Sequence, residues 1–203
     1  MNLHCYDNSQ NRRDDPRRDR LFKIRPLLSR LIKAWQEAYY PNREICLDES
    51  MIAFKGRAVA TVYQPKKPHK WGMQAWFLAD SRTGYCYNLD IYSGKQTDTV
   101  DQNINKTHRI VMNMASPCND AGHHLYFDNY YTSPAVIADL ARKHFGACGT
   151  LRVNRKEIPQ AIQKAKLKVG MDPVFVRQND VLYISWFDKR NNITQGSLGL
   201  VDC

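Results

Sequence analysis

Two aspartates are the residues of this chain whose type and placement suggest chemistry. Asp48 lies in ICLDESMIAFKGR and Asp128 in HHLYFDNYYTS, each at the apparent end of a strand. Two carboxylates that converge can hold divalent metal ions against a phosphodiester, although such sites usually take a third acidic ligand. No third partner is evident in the sequence. Aspartates at strand ends are also common turn formers and helix caps, so spacing alone leaves both interpretations open.

The elements that position these aspartates follow from periodicity. Apolar residues recur at three- and four-residue spacing from Leu27 to Tyr40, which predicts an amphipathic helix that begins after Pro26 and ends at Pro41. Short runs rich in β-branched and aromatic residues predict strands. The predicted strands are Ile45–Ile52, Ala58–Tyr63, Trp71–Ala79, Tyr85–Tyr92, His123–Phe127 and Phe145–Leu151, and the helices between them are Val100–Met114 and Pro134–His144.

This order predicts an α/β fold, a mixed sheet with helices on its faces. The strands at Ile45–Ile52 and His123–Phe127 can lie side by side in it, so that Asp48 and Asp128 meet at one sheet edge although they are 80 positions apart. After about residue 152 the pattern changes to short β segments, which indicates a small β-rich unit. We therefore predict three parts: a lead-in segment with its helix (1–43), a core (44–152) and the β-rich unit (153–203).

Positive charge is concentrated around the first aspartate. The chain has 30 Lys and Arg against 20 Asp and Glu, and residues 21–70 contribute ten of the former against four of the latter. Such an excess favours a polyanionic partner, most commonly nucleic acid. The residues that we predict to contact DNA phosphates are Lys55, Arg57, Lys66, Lys67 and Lys70. The alternative is a solvated basic face whose interleaved aromatics, Tyr63, Trp71 and Trp76, belong to the core; we place Trp76 there in either case.

The cysteines and histidines do not form a pattern that binds zinc. The six cysteines are scattered without a Cys-x-x-Cys pair. His123 and His124 are adjacent, and neighbours on a strand point to opposite faces, which argues against a joint ligand role. The N-terminus has no signal-peptide pattern, and no apolar run is long enough to span a bilayer. We therefore expect reduced thiols in an intracellular protein that is not secreted and meets no membrane.

Several longer segments resemble the transposase domain of the piggyBac family. The segments that carry the resemblance are ICLDESMIAFKGR, YQPKKPHKWGMQAWFLADSRTGY and LYFDNYYTSPAVIADL. In addition, DRLFKIRPLLSRLIKAWQEAYYP resembles the lead-in helix of that domain, GACGTLRVNRKEIP the segment after its fourth strand, and DVLYISWFDKRNN the strand in its insertion domain. Several ordered motifs with the right intervals cover nearly the whole chain, and this is far more specific than one motif.

The resemblance implies an RNase H-like fold, incomplete here, with residues 153–203 as part of an insertion domain. It also implies a metal-dependent site of three aspartates, binding Mg²⁺ or Mn²⁺, and cut-and-paste DNA transposition in the nucleus at TTAA targets through hairpin intermediates. By position, Asp48 matches the first catalytic aspartate and Asp128 the second. No residue matches the third, which the family carries in a Gly-Gly-Val-Asp-like context; Asp98, Asp101, Asp188 and Asp202 stand in other contexts.

Two functions are compatible with these observations. The first is a transposase-derived domain whose ancestral role is metal-dependent DNA strand cleavage and transfer, with weakened metal binding and little activity in these 203 residues because a carboxylate is missing. The second is a non-catalytic DNA-binding or protein-interaction module that reuses the fold. The family acts as a dimer, and most of its N-terminal DNA-binding and dimerisation portion has no counterpart in the sequence.

Overall fold

The computed structural model describes residues 21–56, 58, 60–94, 105–155 and 157–187, together with the backbone of 196–200. The helices of this part are α1 (Arg25–Ala38), α2 (Lys106–Ala115), α3 (Pro134–Ala141) and α4 (Gln160–Gln163). The strands are β1 (Glu44–Ala53), β2 (Thr61–Tyr63), β3 (Trp71–Asp80), β4 (Cys86–Ile91), β5 (His124–Phe127), β6 (Gly146–Gly149), β7 (Val174–Gln178), β8 (Val181–Trp186) and β9 (Gly196–Leu200). The predicted α/β class is confirmed.

The main sheet is mixed and has β1 near its centre. β1 pairs antiparallel with β3 over its length, from Ile45 opposite Asp80 to Ala53 opposite Gly72. On its other side β1 pairs parallel with β5, which pairs parallel with β6. β2 and β4 follow one another along the remaining edge of β3. The prediction that the strand of Asp48 lies beside the strand that precedes Asp128 is therefore correct.

The two faces of this sheet bury different sets of side chains. Ile45, Leu47 and Leu78 are buried on the face that α2 and α3 cover, where they join one large apolar cluster. On the opposite face, a smaller cluster includes Leu21 and Ala75 beneath the start of α1. Alternation along β1 therefore places Asp48 on the α1 face, one position after Leu47 on the other face.

Helix boundaries differ from the periodicity in two places. α1 begins at Arg25 rather than after Pro26, because a proline in the first turn lacks only an N–H that the helix would leave unpaired. α2 begins at Lys106 rather than at Val100. The physical reason is Asn105, which has extended backbone and caps the helix by accepting the Thr107 N–H at 3.3 Å.

The β-rich unit forms a second sheet of β7, β8 and β9, all antiparallel. Its inward residues Val181 and Tyr183 belong to the same buried cluster as Leu151 and Ile162, so the sheet packs on the core. The domain boundary at residues 152 and 153 stays a prediction. Within the described ranges, no helix combines the length and apolar character that crossing a bilayer requires.

Candidate functional site

Asp48 and Asp128 follow the last paired residues of two neighbouring parallel strands. The register between β1 and β5 ends with Leu47 opposite Phe127, and the aspartates come next on each strand. Both residues are exposed, so their carboxylates reach solvent. Asp48 does not end its strand, as the sequence suggested, because β3 continues to pair with β1 as far as Ala53. It lies where the parallel pairing stops and the antiparallel pairing continues.

The electrostatics of Asp48 indicate a site that favours a cation. Partial burial raises the pKa of Asp48, and the Glu49 N–H, which donates to Asp48 Oδ1 at 2.8 Å, opposes this. The nearby charge of Glu49 raises the pKa further, the Lys67 ammonium lowers it, and the charge of Asp128 raises it again by a smaller amount. Asp128 is therefore close enough to disfavour the ionised form of Asp48. A bound cation would relieve that repulsion.

The turn after Asp128 is fixed by its own hydrogen bonds. Asp128 Oδ1 accepts the Tyr130 N–H at 2.8 Å, and its carbonyl oxygen accepts the Thr132 hydroxyl at 2.7 Å. Ser133 then caps α3 by accepting the Val136 N–H at 3.3 Å. The Oδ2 atoms of Asp48 and Asp128 accept no hydrogen bond from the described residues. Each aspartate therefore keeps a hard oxygen for a divalent ion, which fits magnesium or manganese.

A buried contact joins the segments that carry the two aspartates. The Tyr131 hydroxyl donates to Glu49 Oε2 at 2.8 Å, and Lys67 Nζ lies 3.2 Å from Glu49 Oε1. Tyr131 is almost completely buried, and burial with the Glu49 bond raises its pKa far above the ordinary value. Glu49 points away from Asp48 toward the face that α2 and α3 cover. Its contacts with Tyr131 and Lys67 brace these segments on that face.

Two arginines that sequence reasoning missed hold the turn after Asp128. Arg152 Nε donates to Asn129 Oδ1 at 2.8 Å, and Arg155 Nη2 donates to the carbonyl oxygen of Tyr130 at 2.7 Å. They come from the segment after β6, the parallel neighbour of β5. The ends of neighbouring parallel strands meet at one edge of a sheet. Applied to β5 and β6, that rule would have predicted from the sequence that these arginines lie near Asp128. These arginines add positive charge beside Asp128.

The predicted DNA-contacting residues do not form one set. Lys55, Lys66 and Lys70 are exposed and have no ion pair within the described ranges, whereas the Lys67 ammonium pairs with Glu49. Arg57 lies outside the described residues. Trp76 is buried as predicted, but Trp71 and Tyr63 are 59% and 52% exposed, so these two are not core residues.

The other candidate metal ligands are separately engaged. His123 Nδ1 lies 2.9 Å from the Asn42 carbonyl oxygen, and Arg43 donates to His124 Nε2. Across the described ranges, no three residues among His, Cys, Asp and Glu group together as a metal site. The cysteines in these ranges are free thiols, and burial raises the pKa of Cys118 to about 11. The aspartate pair is therefore the candidate centre.

Comparison with known proteins gives consistent matches. Residues 1–197 match the protein family described as Transposase IS4. PiggyBac transposable element-derived protein 3 of Homo sapiens is 29% identical over 155 residues, 74% of this chain and 25% of the human protein. PiggyBac transposable element-derived protein 2 of Homo sapiens is 24% identical over 207 residues, 98% of this chain and 34% of the human protein. The chain thus spans a quarter to a third of these relatives.

A solved structure shares the fold. It is the cryo-EM structure of the piggyBac transposase synaptic complex with hairpin DNA, with a TM-score of 0.83 and 23% sequence identity. The superposition covers 97% of this chain and 41% of the other. At that identity the match establishes architecture: a mixed sheet with flanking helices, followed by the β-rich unit.

Proposed function

This chain belongs to the Transposase IS4 family as a piggyBac transposase-derived domain, and from that premise we propose that Asp48 and Asp128 are metal ligands of a site for DNA phosphodiesters. The observation that carries the proposal is the register of β1 and β5, which ends at Leu47 opposite Phe127 and brings the two aspartates to one edge. That the ancestral role of this site was metal-dependent DNA strand cleavage and transfer in the nucleus is part of this proposal.

Each residue of the proposed site has a separate role. Asp48 and Asp128 supply the free Oδ2 atoms that would hold Mg²⁺ or Mn²⁺, ions that bind through one or two carboxylates and leave positions for phosphate oxygens. A metal bound there would activate an attacking hydroxyl and stabilise the leaving oxygen. Asn129, held by Arg152, fixes the turn beside the second ligand. Glu49 and Tyr131 hold the two ligand segments in register.

The same arrangement limits activity. Glu49, the carboxylate next to Asp48 in sequence, is engaged by Tyr131 and Lys67 and faces the other side of β1. Among the described residues no third carboxylate joins the pair, and two carboxylates bind a metal more weakly than three, so we expect little strand cleavage. Robust Mg²⁺-dependent nicking of supercoiled plasmid that Asp128→Ala abolishes would overturn this part of the proposal.

A non-catalytic DNA-binding or protein-interaction module is the second candidate function. The exposed Lys55, Lys66 and Lys70, together with the net charge of +10, favour contact with a phosphate backbone whether or not the aspartates hold a metal. This candidate differs from the first in that its DNA binding would not depend on Asp48 and Asp128.

One experiment separates the two. The affinity of the protein for labelled duplex DNA is measured by fluorescence anisotropy with Mn²⁺ and with EDTA, for wild type, Asp48→Asn and Glu44→Gln. Glu44 is a matched control because it is an exposed carboxylate on the same strand and face, four residues before Asp48. Under the proposal, Mn²⁺ strengthens binding by wild type and Glu44→Gln but not by Asp48→Asn. Equal affinity with Mn²⁺ and EDTA in wild type would favour the non-catalytic module.

A further inference from the structure

An exposed aromatic pair stands at the end of the hairpin formed by β2 and β3. Tyr63 and Trp71 are directly opposite one another in the antiparallel register, with ring centroids 4.8 Å apart and planes inclined by 42°. More than half of each residue is accessible to solvent. Large aromatic residues are usually well buried on average, so two adjacent exposed ones are informative.

The backbone around Trp71 is firmly placed. Gly72, the next residue, lies against the carbonyl oxygen of Ile52 on β1, where a Cβ atom would collide. The connection from β2 to β3 is closed by the Gln64 N–H, which donates to the Lys70 carbonyl oxygen at 2.8 Å. Lys67, within that connection, is pinned to Glu49. The ring of Trp71 is therefore presented from a fixed hairpin.

The residues around the aromatic pair carry positive charge. Lys66 and Lys70 are exposed in the connection between the two strands, and Lys55 lies across an open groove of about 1040 Å³ that Lys70 and Trp71 also line. The described residues lining this groove include His69 and contain no Asp or Glu. Aromatic faces beside unpaired lysines are the combination that binds single-stranded nucleic acid, because the cations track phosphates while the rings stack on bases.

The pair lies on the same sheet face as Asp48. Asp48 is opposite Phe77 on β3, and Trp71 is six residues from Phe77 along that strand, an even number that keeps the same face. Six residues of strand span roughly 20 Å. A nucleic-acid strand lying along this face could therefore reach both the aspartate pair and the aromatic pair.

We propose that Tyr63 and Trp71 form a stacking platform for an unpaired DNA base, roughly 20 Å along the sheet face from the aspartate pair. The proposal rests on the proposed function in one respect, that the partner is DNA. Lys55, Lys66 and Lys70 contact the flanking phosphates. The platform gives the protein a preference for DNA whose strands are separated over this stretch, which duplex contacts to lysines alone would not give.

The test is binding of labelled single-stranded and duplex DNA of about 12 nucleotides to the full chain by fluorescence anisotropy. The proteins compared are wild type, Trp71→Ala, Trp71→Phe and Lys70→Gln. Because one stacked base contributes substantially to affinity, Trp71→Ala should lose about tenfold or more for the single strand and less than about twofold for the duplex. Trp71→Phe, which keeps a ring, should retain most of the affinity. Lys70→Gln should weaken both DNAs and lower the salt slope by about one.

The outcomes separate the proposals. Suppose that Lys70→Gln weakens duplex binding but Trp71→Ala leaves the affinity for single-stranded DNA unchanged. The aromatic pair then serves only cross-strand packing, so the stacking platform is wrong although DNA binding is retained. If wild type binds neither DNA at low salt, both the platform and DNA as partner are overturned. The same assay is repeated with a single-stranded RNA of matched sequence. If Trp71→Ala weakens binding of the RNA and not of the DNA, the ligand of the platform is RNA, and the DNA platform is again wrong.

Discussion

The Tyr131 hydroxyl donates a 2.8 Å hydrogen bond to Glu49 Oε2, and this contact joins the residue after Asp48 to the segment after Asp128. The two partners are 82 positions apart in the chain. The bond lies on the face that α2 and α3 cover, while Asp48 lies on the α1 face. A partly buried contact thus joins the two segments that carry the aspartates.

Removing that hydroxyl should destabilise the fold. Tyr131→Phe keeps the ring but removes a hydrogen bond to a charged group, which costs about 2 kcal/mol of the free energy of unfolding. Urea unfolding measures this loss. Tyr126→Phe is the control, because Tyr126 is an exposed tyrosine on β5, and it should change stability by less than about 0.5 kcal/mol. Equal stability of Tyr131→Phe and wild type would show that the contact is not a brace.

Asp80 gives the fold an acid-sensitive anchor. Burial alone would raise the pKa of Asp80, but hydrogen bonds from Asn42 and Thr83 outweigh it and hold the pKa well below the usual range. The bonds from Asn42 and from the Tyr39 hydroxyl, at 3.1 Å, tie the chain between α1 and β1 to the end of β3. These bonds lie just before the start of β1, the strand that carries Asp48.

The depressed pKa of Asp80 fixes the sign of a pH effect. The stabilisation is complete above the unfolded-state pKa of about 3.9 and is lost as pH falls toward the folded-state pKa. Asp80→Asn should therefore be less stable than wild type near pH 6, by roughly 1–3 kcal/mol, with a difference that shrinks below about pH 4. Unfolding at a series of pH values measures it, with the exposed Asp172→Asn as control. A difference that grows in acid would contradict the assignment.

Arg155 should govern the mobility of the turn after Asp128. Its guanidinium binds the carbonyl oxygens of Asn129 and Tyr130, so Arg155→Gln should let the amides of residues 130–132 open more often. Loss of about 1.4 kcal/mol of local stability corresponds to tenfold faster hydrogen exchange there. Arg142→Gln, an exposed arginine at the end of α3, is the control. Unchanged exchange in Arg155→Gln would show that the turn holds itself.

Local pattern predicted the strands better than it predicted which residues meet. Alternation and β-branched runs predict β1, β3, β4 and β5 to within a few residues, and their order predicts that β1 and β5 are neighbours; that the two pair parallel is seen only in the structure. Periodicity placed the start of α2 too early, because it does not register that Asn105 is an N-cap. Charge counting grouped Lys67 with Lys66 and Lys70, since sequence proximity does not show that its ammonium turns back to Glu49.

The exposure of the aromatic residues was also not predictable from the sequence. Trp71 and Trp76 are both tryptophans of β3, yet an odd separation puts them on opposite faces, and only Trp76 lies under a helix. The sequence left Trp71 and Tyr63 open between the core and a DNA-facing surface and placed only Trp76 in the core. The structure exposes them because β2 is three residues long and the described helices leave that end of the sheet face open.

Metal binding by the aspartate pair is the most direct test of the proposed site. Titration of Mn²⁺ followed by electron paramagnetic resonance measures bound against free ion for wild type, Asp48→Asn, Asp128→Asn and the control Glu44→Gln. Removal of an outer-sphere partner already costs 10–100-fold in affinity, so loss of either ligand should weaken binding at least tenfold, while Glu44→Gln should bind as wild type does. Mn²⁺ affinity that is unchanged in both Asp48→Asn and Asp128→Asn would contradict the proposed metal site.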